Sequence, residues 1–378
     1  DLAVASFPNN TVAVWLSTGA PGVFERHDVT TTHDGGQDLV AADLDLDGDL
    51  DILGAALSLS DTIAWWENTA GDGSAWTQHT VSGAFDGAKS VYPADVDGDG
   101  DTDLLGAAYY ANTVAWWENT AGDGSAWTQH TVSNTFDAAR SVTAADVDGD
   151  GDLDMLGAAY AADTIAWWEN TGDGAFNPIP KVVSNTFDGA FDALAADLDG
   201  DGDLDVLGAA EGIDTIAWWE NTAGDGTAWT QHILSNTFDG AGSVHVADVD
   251  GDGDMDVLGS ANDADTIAWW ENMGGQFALA TADSAPAEIV SGLADDVLKV
   301  TMTHLGRAGD GDEEWATAAL LFEDEFGYPL DSVQANALIE SLSVYGDDGS
   351  GAFEPGADTL VTTVGTLTLV NGIQTVPF

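Results

Sequence analysis

Carboxylates set the chemistry open to this chain, and they come in a fixed pattern. Five runs read D-x-D-x-D-G-D-x-D, from Asp43 to Asp51, Asp95 to Asp103, Asp146 to Asp154, Asp197 to Asp205 and Asp248 to Asp256. Carboxylates this dense repel one another, so a folded loop that holds them together needs a cation among them, and hard oxygen ligands select calcium. Positions one, three and five supply side-chain oxygens: Asp43, Asp45 and Asp47; Asp95, Asp97 and Asp99; Asp146, Asp148 and Asp150; Asp197, Asp199 and Asp201; Asp248, Asp250 and Asp252. A glycine at position six, as at Gly151, permits the sharp turn over the ion. An EF-hand would close on a glutamate at position twelve, where this chain has Gly54, Gly106, Gly157, Gly208 and Gly259. Closure therefore falls to the ninth-position Asp51, Asp103, Asp154, Asp205 and Asp256. The seventh residues, Asp49, Asp101, Asp152, Asp203 and Asp254, add a backbone carbonyl nearby. One ion per loop is the expectation.

The runs begin at 43, 95, 146, 197 and 248, a period of about 51 residues that points to stacked supersecondary units or propeller blades. In one unit Ser141 to Ala145 reads as a short apolar strand, and the aspartate loop follows. Then come Leu153 to Ala159, Thr164 to Glu169 and, past a Gly-Asp-Gly turn, Val182 to Ser184. Short strands separated by turn residues, without helical periodicity, predict one four-stranded antiparallel blade per repeat. Adjacent tryptophans recur at Trp65-Trp66, Trp116-Trp117, Trp167-Trp168, Trp218-Trp219 and Trp269-Trp270 in the frame T-[IV]-A-W-W-E-N. Neighbouring strand residues point to opposite faces, so one indole should pack forward and the other backward between blades; a sugar-stacking rim is the alternative. His27, His79, His130 and His232 precede their loops by a common interval. Repeats would hold them a blade apart, which suits edge-strand structure rather than a zinc site.

The segment Ala145-Asp146-Val147-Asp148-Gly149-Asp150-Gly151-Asp152-Leu153-Asp154-Met155-Leu156-Gly157-Ala158-Ala159 resembles the FG-GAP or VCBS repeat of integrin-α-like propellers, and the likeness extends over residues 1 to 283. The resemblance implies a calcium-dependent propeller, usually seven-bladed, of extracellular adhesion and surface proteins, sometimes beside lectin or polysaccharide-lyase activities. Here Phe-Asp-Gly-Ala, at Phe85 to Ala88, Phe187 to Ala190 and Phe238 to Ala241, replaces the Phe-Gly that names the family. Function is thus inherited only loosely from a scaffold. Asp1-Leu2-Ala3-Val4-Ala5-Ser6 aligns on Asp103-Leu104-Leu105-Gly106-Ala107-Ala108, which makes Asp1 the ninth position of a sixth loop. The expectation is a fragment of an all-β protein with six blades visible, six or seven when complete. Blade one would then take its inner strand from outside residues 1 to 283.

Composition narrows the partners. Six basic residues against 67 acidic ones give a formal charge of −61, which repels nucleic acid and anionic membrane surfaces. The absence of cysteine rules out a disulfide framework, so metal must do the stapling. No apolar run reaches the roughly 18 residues of a membrane span. Secretion to the exterior fits all of this, with a glycan, a surface protein or another copy of the chain as partner. Comparison of the copies places variable side chains on the face opposite the aspartate loops. Lys89 and Arg140 fall there on adjacent blades, with Tyr92, Tyr109, Tyr110 and His245, a seat for an acidic sugar or carboxylate. After 283 the repeat stops. Residues 284–292 read as a linker and 293–378 as an immunoglobulin-like β-sandwich, with strands at 296–304, 314–322 and 359–370 and a short helix at 332–342. Acidic turns at 309–313 and 347–351 read as polar turns rather than ion sites. No nucleophile motif or phosphate-cradling loop stands out, so a non-catalytic surface, adhesion or assembly module is expected, with a polysaccharide lyase as the alternative.

Overall fold

A strand of unbroken small and apolar residues follows each aspartate loop, and the computed structural model buries every residue of Asp51–Ala56, Asp103–Ala108, Asp154–Ala159 and Asp205–Ala210. The structure describes residues 2–6, 10–18, 20, 22–57, 61–251, 253–272, 277–283, 298–304, 317–321, 331–339, 342–346, 359–370 and 373–377. A continuous apolar run of this length is what a strand covered on both faces requires. In one sheet it lies between an inner strand, Ala139–Ala145, and the tryptophan strand, Thr164–Trp168; an outer strand, Lys181–Ser184, completes the order. Four such four-stranded sheets span 36–82, 88–133, 139–184 and 190–235, and 241–270 forms three strands in the same order. Residues 2–30 form a further three-stranded sheet that opens the row. In chain order these are sheets one to six.

The architecture is an all-β propeller, and it corrects the expected blade count. Five sheets begin with their own inner strand and aspartate loop; sheet one, made of Leu2–Ser6, Thr11–Ser17 and Phe24–Thr30, has only the strands that follow such a loop. Alignment of Asp1 onto a ninth position counted that remnant as a sixth blade. No described strand fills its inner position.

The core lies between successive sheets. The first tryptophan of one sheet shares a cluster with the second tryptophan of the next, pairing Trp65 with Trp117, Trp116 with Trp168, Trp167 with Trp219 and Trp218 with Trp270. Burying about 150–250 Å² per indole contributes about 4–6 kcal/mol each as an upper figure, so the inter-blade reading of the pairs holds. Gly106 is required by this packing, since a Cβ there would stand 2.7 Å from the Trp117 ring. Sheets are also joined by hydrogen bonds from inner strand to inner strand. Val91 N–H donates to Asp38 Oδ2 (3.0 Å), Val142 N–H to Ser90 Oγ (3.4 Å), Ala193 N–H to Ser141 Oγ (3.2 Å) and Val244 N–H to Asp192 Oδ2 (3.1 Å). On sheet six Ile267 is 83% and Trp269 44% exposed, whereas their counterparts Ile216 and Trp218 on sheet five are buried.

A second unit spans Met273–Phe378. It is described in three antiparallel pairs, Phe277–Asp283 with Leu298–His304, Thr317–Leu321 with Ile373–Pro377 and Leu342–Gly346 with Thr359–Val364, and a helix, Ser332–Leu338, capped by Asp331. The division at Asn272 precedes the expected 283 because Phe277–Asp283 pairs with Leu298–His304 and not with sheet six. The described elements pair only two by two, which does not confirm the expected β-sandwich. The linker 284–292 and the acidic turns 309–313 and 347–351 lie outside the described residues.

One loop carries local strain. Its fourth position is Gly98, Gly149, Gly200 or Gly251 in four copies, at φ 75°, 73°, 79° and 82°, while Leu46 holds a similar conformation at φ 60°. A side chain there costs about 1–2 kcal/mol, and glycine's extra chain entropy takes back part of it. Leu46→Gly is therefore expected to raise stability by about 0.5–1 kcal/mol in urea unfolding. A lower midpoint in the variant would show that the Leu46 side chain stabilises the loop.

Candidate metal centres and the opposite face

The loops are shaped by their own carboxylates. Asp146 Oδ2 accepts from Gly151 N–H across the turn (3.0 Å), and Gly151 stands at φ 100°, which only glycine adopts without strain. The same bond recurs from Gly48 to Asp43 (3.0 Å), Gly100 to Asp95 (3.1 Å), Gly202 to Asp197 (3.1 Å) and Gly253 to Asp248 (3.2 Å). The ninth aspartate staples the loop to the end of the tryptophan strand. Buried Asp154 accepts Val147 N–H at Oδ2 (3.0 Å) and Asn170 N–H at Oδ1 (2.8 Å), and Asp51, Asp103, Asp205 and Asp256 do the same for their loops. Burial raises four of these carboxyls, to about 7 at Asp154 and Asp205 and about 6 at Asp51 and Asp103.

Folding gathers the first, third and ninth positions. Ligand oxygens of Asp43, Asp45 and Asp51 lie within 4.8 Å of one another, as do those of Asp146, Asp148 and Asp154, of Asp197, Asp199 and Asp205, and of Asp248, Asp250 and Asp256. In the second loop the group is Asp95, Asp97 and Asp99, so Asp103 is not in it. The fifth-position Asp47, Asp150 and Asp201 stand outside these groups, and so do the seventh-position Asp49, Asp101, Asp152, Asp203 and Asp254. Asp49, Asp101 and Asp203 instead lie against Gly71, Gly122 and Gly224, where a Cβ would come within 2.4, 2.5 and 2.3 Å of a carboxylate oxygen. That contact puts the aspartate loops and the Gly-Asp-Gly turns on one face, as expected. Asp1 and Asp252 lie outside the described residues.

The donor set fits a hard cation. Asp43 Oδ1, Asp146 Oδ1 and Asp148 Oδ1 are buried with no hydrogen-bond partner. An ionised oxygen buried without a partner is costly, and a divalent ion among the three aspartates would supply one. Sequence reasoning missed a neighbour of four of the sites. The glutamate of the W-W-E-N frame, Glu67, Glu118, Glu169 or Glu220, stands close enough to the third aspartate to help raise its carboxyl, behind burial and mostly behind the adjacent aspartate. Its recurrence in every copy was the available signal. The same glutamates hold the recurring histidines: His79, His130 and His232 meet Glu67, Glu118 and Glu220 at 2.8, 3.0 and 2.8 Å and stack on Trp65, Trp116 and Trp218. These histidines are structural.

Sheet four departs from the pattern. Lys181 replaces the histidine, with its ammonium 4.1 Å over the Trp167 ring, 3.3 Å from Glu169 and 3.4 Å from Asp148 Oδ2. A built-in cation on a third-position ligand competes with a metal ion. Lys181→Met is expected to tighten divalent binding in this loop by roughly 2–10-fold, the value of a partly buried ion pair. Terbium luminescence sensitised by the adjacent tryptophans reads it; an unchanged titration would show that Lys181 does not oppose the ion.

The opposite face is pinned separately. Asp61, Asn112, Asp163 and Asp214 each accept, through a side-chain oxygen, a backbone N–H from the turn leading into the next inner strand: Gly87, Ala138, Gly189 and Gly240, at 2.9–3.0 Å. Each inner strand then opens with a register shift that sets one residue out of the ladder: Gln37, Lys89, Arg140, Phe191 and Gly242. Lys89 Nζ donates to Gln37 Oε1, and the Arg140 guanidinium lies 3.4 Å over the Phe191 ring. Tyr109 meets Tyr110 at 5.5 Å and Tyr160 at 6.4 Å, and Tyr160 meets Phe191 at 6.5 Å. Of the residues expected to vary on this face, Lys89, Arg140, Tyr109, Tyr110, Tyr160 and Phe191 fall within this arrangement; Gln37 was not among those singled out. Tyr92 packs into the core between sheets three and four, and His245 is exposed on sheet six in the same register position. Neither makes a hydrogen bond or ring contact with Lys89 or Arg140.

A family model described as FG-GAP-like repeat matches residues 53–106, 95–157, 156–208 and 197–259. No curated protein sequence matches the chain. Among solved structures it is similar to an Agrocybe aegerita lectin, described by its specific recognition of non-reducing terminal N-acetylglucosamine, at 23% identity, 66% coverage of this chain, 69% of that one and a TM-score of 0.47. It is also similar to virginiamycin B lyase from Staphylococcus aureus at 8% identity, 71% and 79% coverage and a TM-score of 0.47. The two differ in activity, and neither fixes what this chain does.

Proposed function

The chain belongs to the FG-GAP-like repeat family, and from that premise we propose that it is a calcium-stabilised β-propeller acting outside the cell as a non-catalytic module that binds a glycan or a protein partner. Calcium is supported above all by buried, partnerless carboxylate oxygens in loops of recurring sequence. Asp43, Asp45 and Asp51 and their counterparts would hold the ions, whose charge would offset repulsion and tie each inner strand to its neighbour. A binding role is supported by the division of labour between the faces. Residues that recur in every copy serve packing and the loops, whereas the residues that differ collect on the other face. The charge of −61 argues against nucleic acid as partner, and no helix among the described residues is long and apolar enough to cross a membrane.

The test is direct. Calcium-loaded protein is incubated with acidic polysaccharides and followed for ultraviolet-absorbing unsaturated products, while a glycan and surface-protein array reads binding. Saturable binding without products supports the module; catalytic release of products would make the protein a lyase instead.

A further inference from the structure

Five inner strands carry a bulge residue, and no two of the five are alike. A bulge leaves its residue unpaired and re-aims the side chain. At Gln37, Lys89, Arg140 and Phe191 the re-aimed side chains meet across neighbouring sheets: Lys89 donates to Gln37, and Arg140 covers Phe191. Lys89 and Arg140 are two of only six basic residues. Among the described residues neither makes an ion pair, although the chain holds 67 acidic residues. Resting on the binding role proposed above, we infer that Lys89 and Arg140, walled by Tyr109 and Tyr110, seat the carboxylate of an acidic sugar.

The electrostatics of the seat favour an anion. Burial first, then the charge of Arg140, brings the Lys89 ammonium down to about 8, with Glu211 pulling the other way. Burial likewise depresses Arg140, against the charges of Glu211, Tyr109, Tyr160 and Asp192. Glu211 is engaged by the Tyr160 hydroxyl. Asp192 is already committed, accepting Val244 N–H, and burial raises its carboxyl, as it does that of Asp38. Two half-buried cations that repel each other thus share the charge of Glu211 without a direct ion pair to it, and a ligand carboxylate between them would relieve their repulsion. Tyr110, 59% exposed, edge-on to Tyr109 and against Gly87 two residues before Lys89, offers a flat apolar surface on the same face, the combination that receives a sugar ring bearing a charged group. An acidic peptide would use the cations but not the ring surface.

Calorimetric titration of the calcium-loaded full chain tests this, with glucuronosyl-xylotriose against neutral xylotriose. The acidic sugar should bind at least about tenfold tighter, and Arg140→Gln should remove that preference. Affinity should fall roughly tenfold between pH 7 and pH 9 as Lys89 loses its proton, and Lys89→Met should abolish that slope. Tyr110→Ala should weaken both sugars. Arg140→Lys, which keeps the charge, covers the case in which Arg140→Gln unfolds, since it should retain part of the preference. Equal binding of the two sugars, a pH slope that survives in Lys89→Met, or an Asp/Glu peptide that outcompetes the acidic sugar overturns the seat. Array binding indifferent to Arg140→Gln also overturns it while leaving the module intact; an array with no ligand at all fails the module itself.

Discussion

Removal of calcium is expected to lower the melting temperature by roughly 10 °C or more. Each occupied loop contributes about 2.7 kcal/mol at a hundredfold excess of ion over Kd, and a domain of this size shifts by about 2–4 °C per kcal/mol. Five groups of aspartates stand in the described structure, so the effects accumulate from sheet to sheet. Calorimetry with and without EDTA checks it, with magnesium as a control for simple screening. Magnesium demands a smaller, near-octahedral shell and should restore little of the loss. A melting temperature indifferent to EDTA would refute the metal reading of every loop.

The second large effect separates two aspartates of one loop. Asp154→Ala removes an ion ligand and also the acceptor for Val147 N–H and Asn170 N–H, leaving two buried donors unsatisfied at about 1–3 kcal/mol each. Asp148→Ala removes an ion ligand whose Oδ1 has no partner of its own. With calcium present both variants should lose stability, Asp154→Ala by about 3–5 kcal/mol and Asp148→Ala by no more than about 2.7 kcal/mol. In EDTA the two should diverge. Asp154→Ala stays destabilised because its backbone partners are still orphaned. Asp148→Ala becomes nearly neutral, since relief of repulsion among the carboxylates offsets the lost pair with Lys181. Parallel denaturant titrations in both conditions decide; equal behaviour of the two variants in EDTA would show that the ninth position has no role beyond the ion.

Those two roles mark the limit of what the sequence conveys. Alternating aspartates around a required glycine are a local signal, and so are period, strand count and tryptophan pairs, because each follows from spacing within one repeat. That Asp154 would turn its oxygens to two backbone donors, and that Asp49 would lie against Gly71, depends on where the tryptophan strand ends, which spacing does not encode. Tyr92 shows a different failure. The bulge at Lys89 shifts alternation by one residue, so Ser90, Tyr92 and Ala94 turn toward sheet four, and a residue read as facing ligand packs half-buried against the core. In the second unit strands expected at 296–304, 314–322 and 359–370 overlap described ones, whereas Leu342–Gly346 was not expected and Thr317–Leu321 pairs with the distant Ile373–Pro377. Pairing at that separation is set by tertiary choice, and no repeat was present to constrain it.

Asn119, Asn170, Asn221 and Asn272 each donate from Nδ2 to a carbonyl inside the aspartate loop of the preceding sheet, at 3.3, 2.8, 3.3 and 2.7 Å, and also to a carbonyl of their own loop. These amides therefore link each loop to the next along the row. Under tension the row should give way one sheet at a time, and every step must spring a latch that a bound ion would hold shut. The calcium concentration around the molecule would then set the force at which it yields.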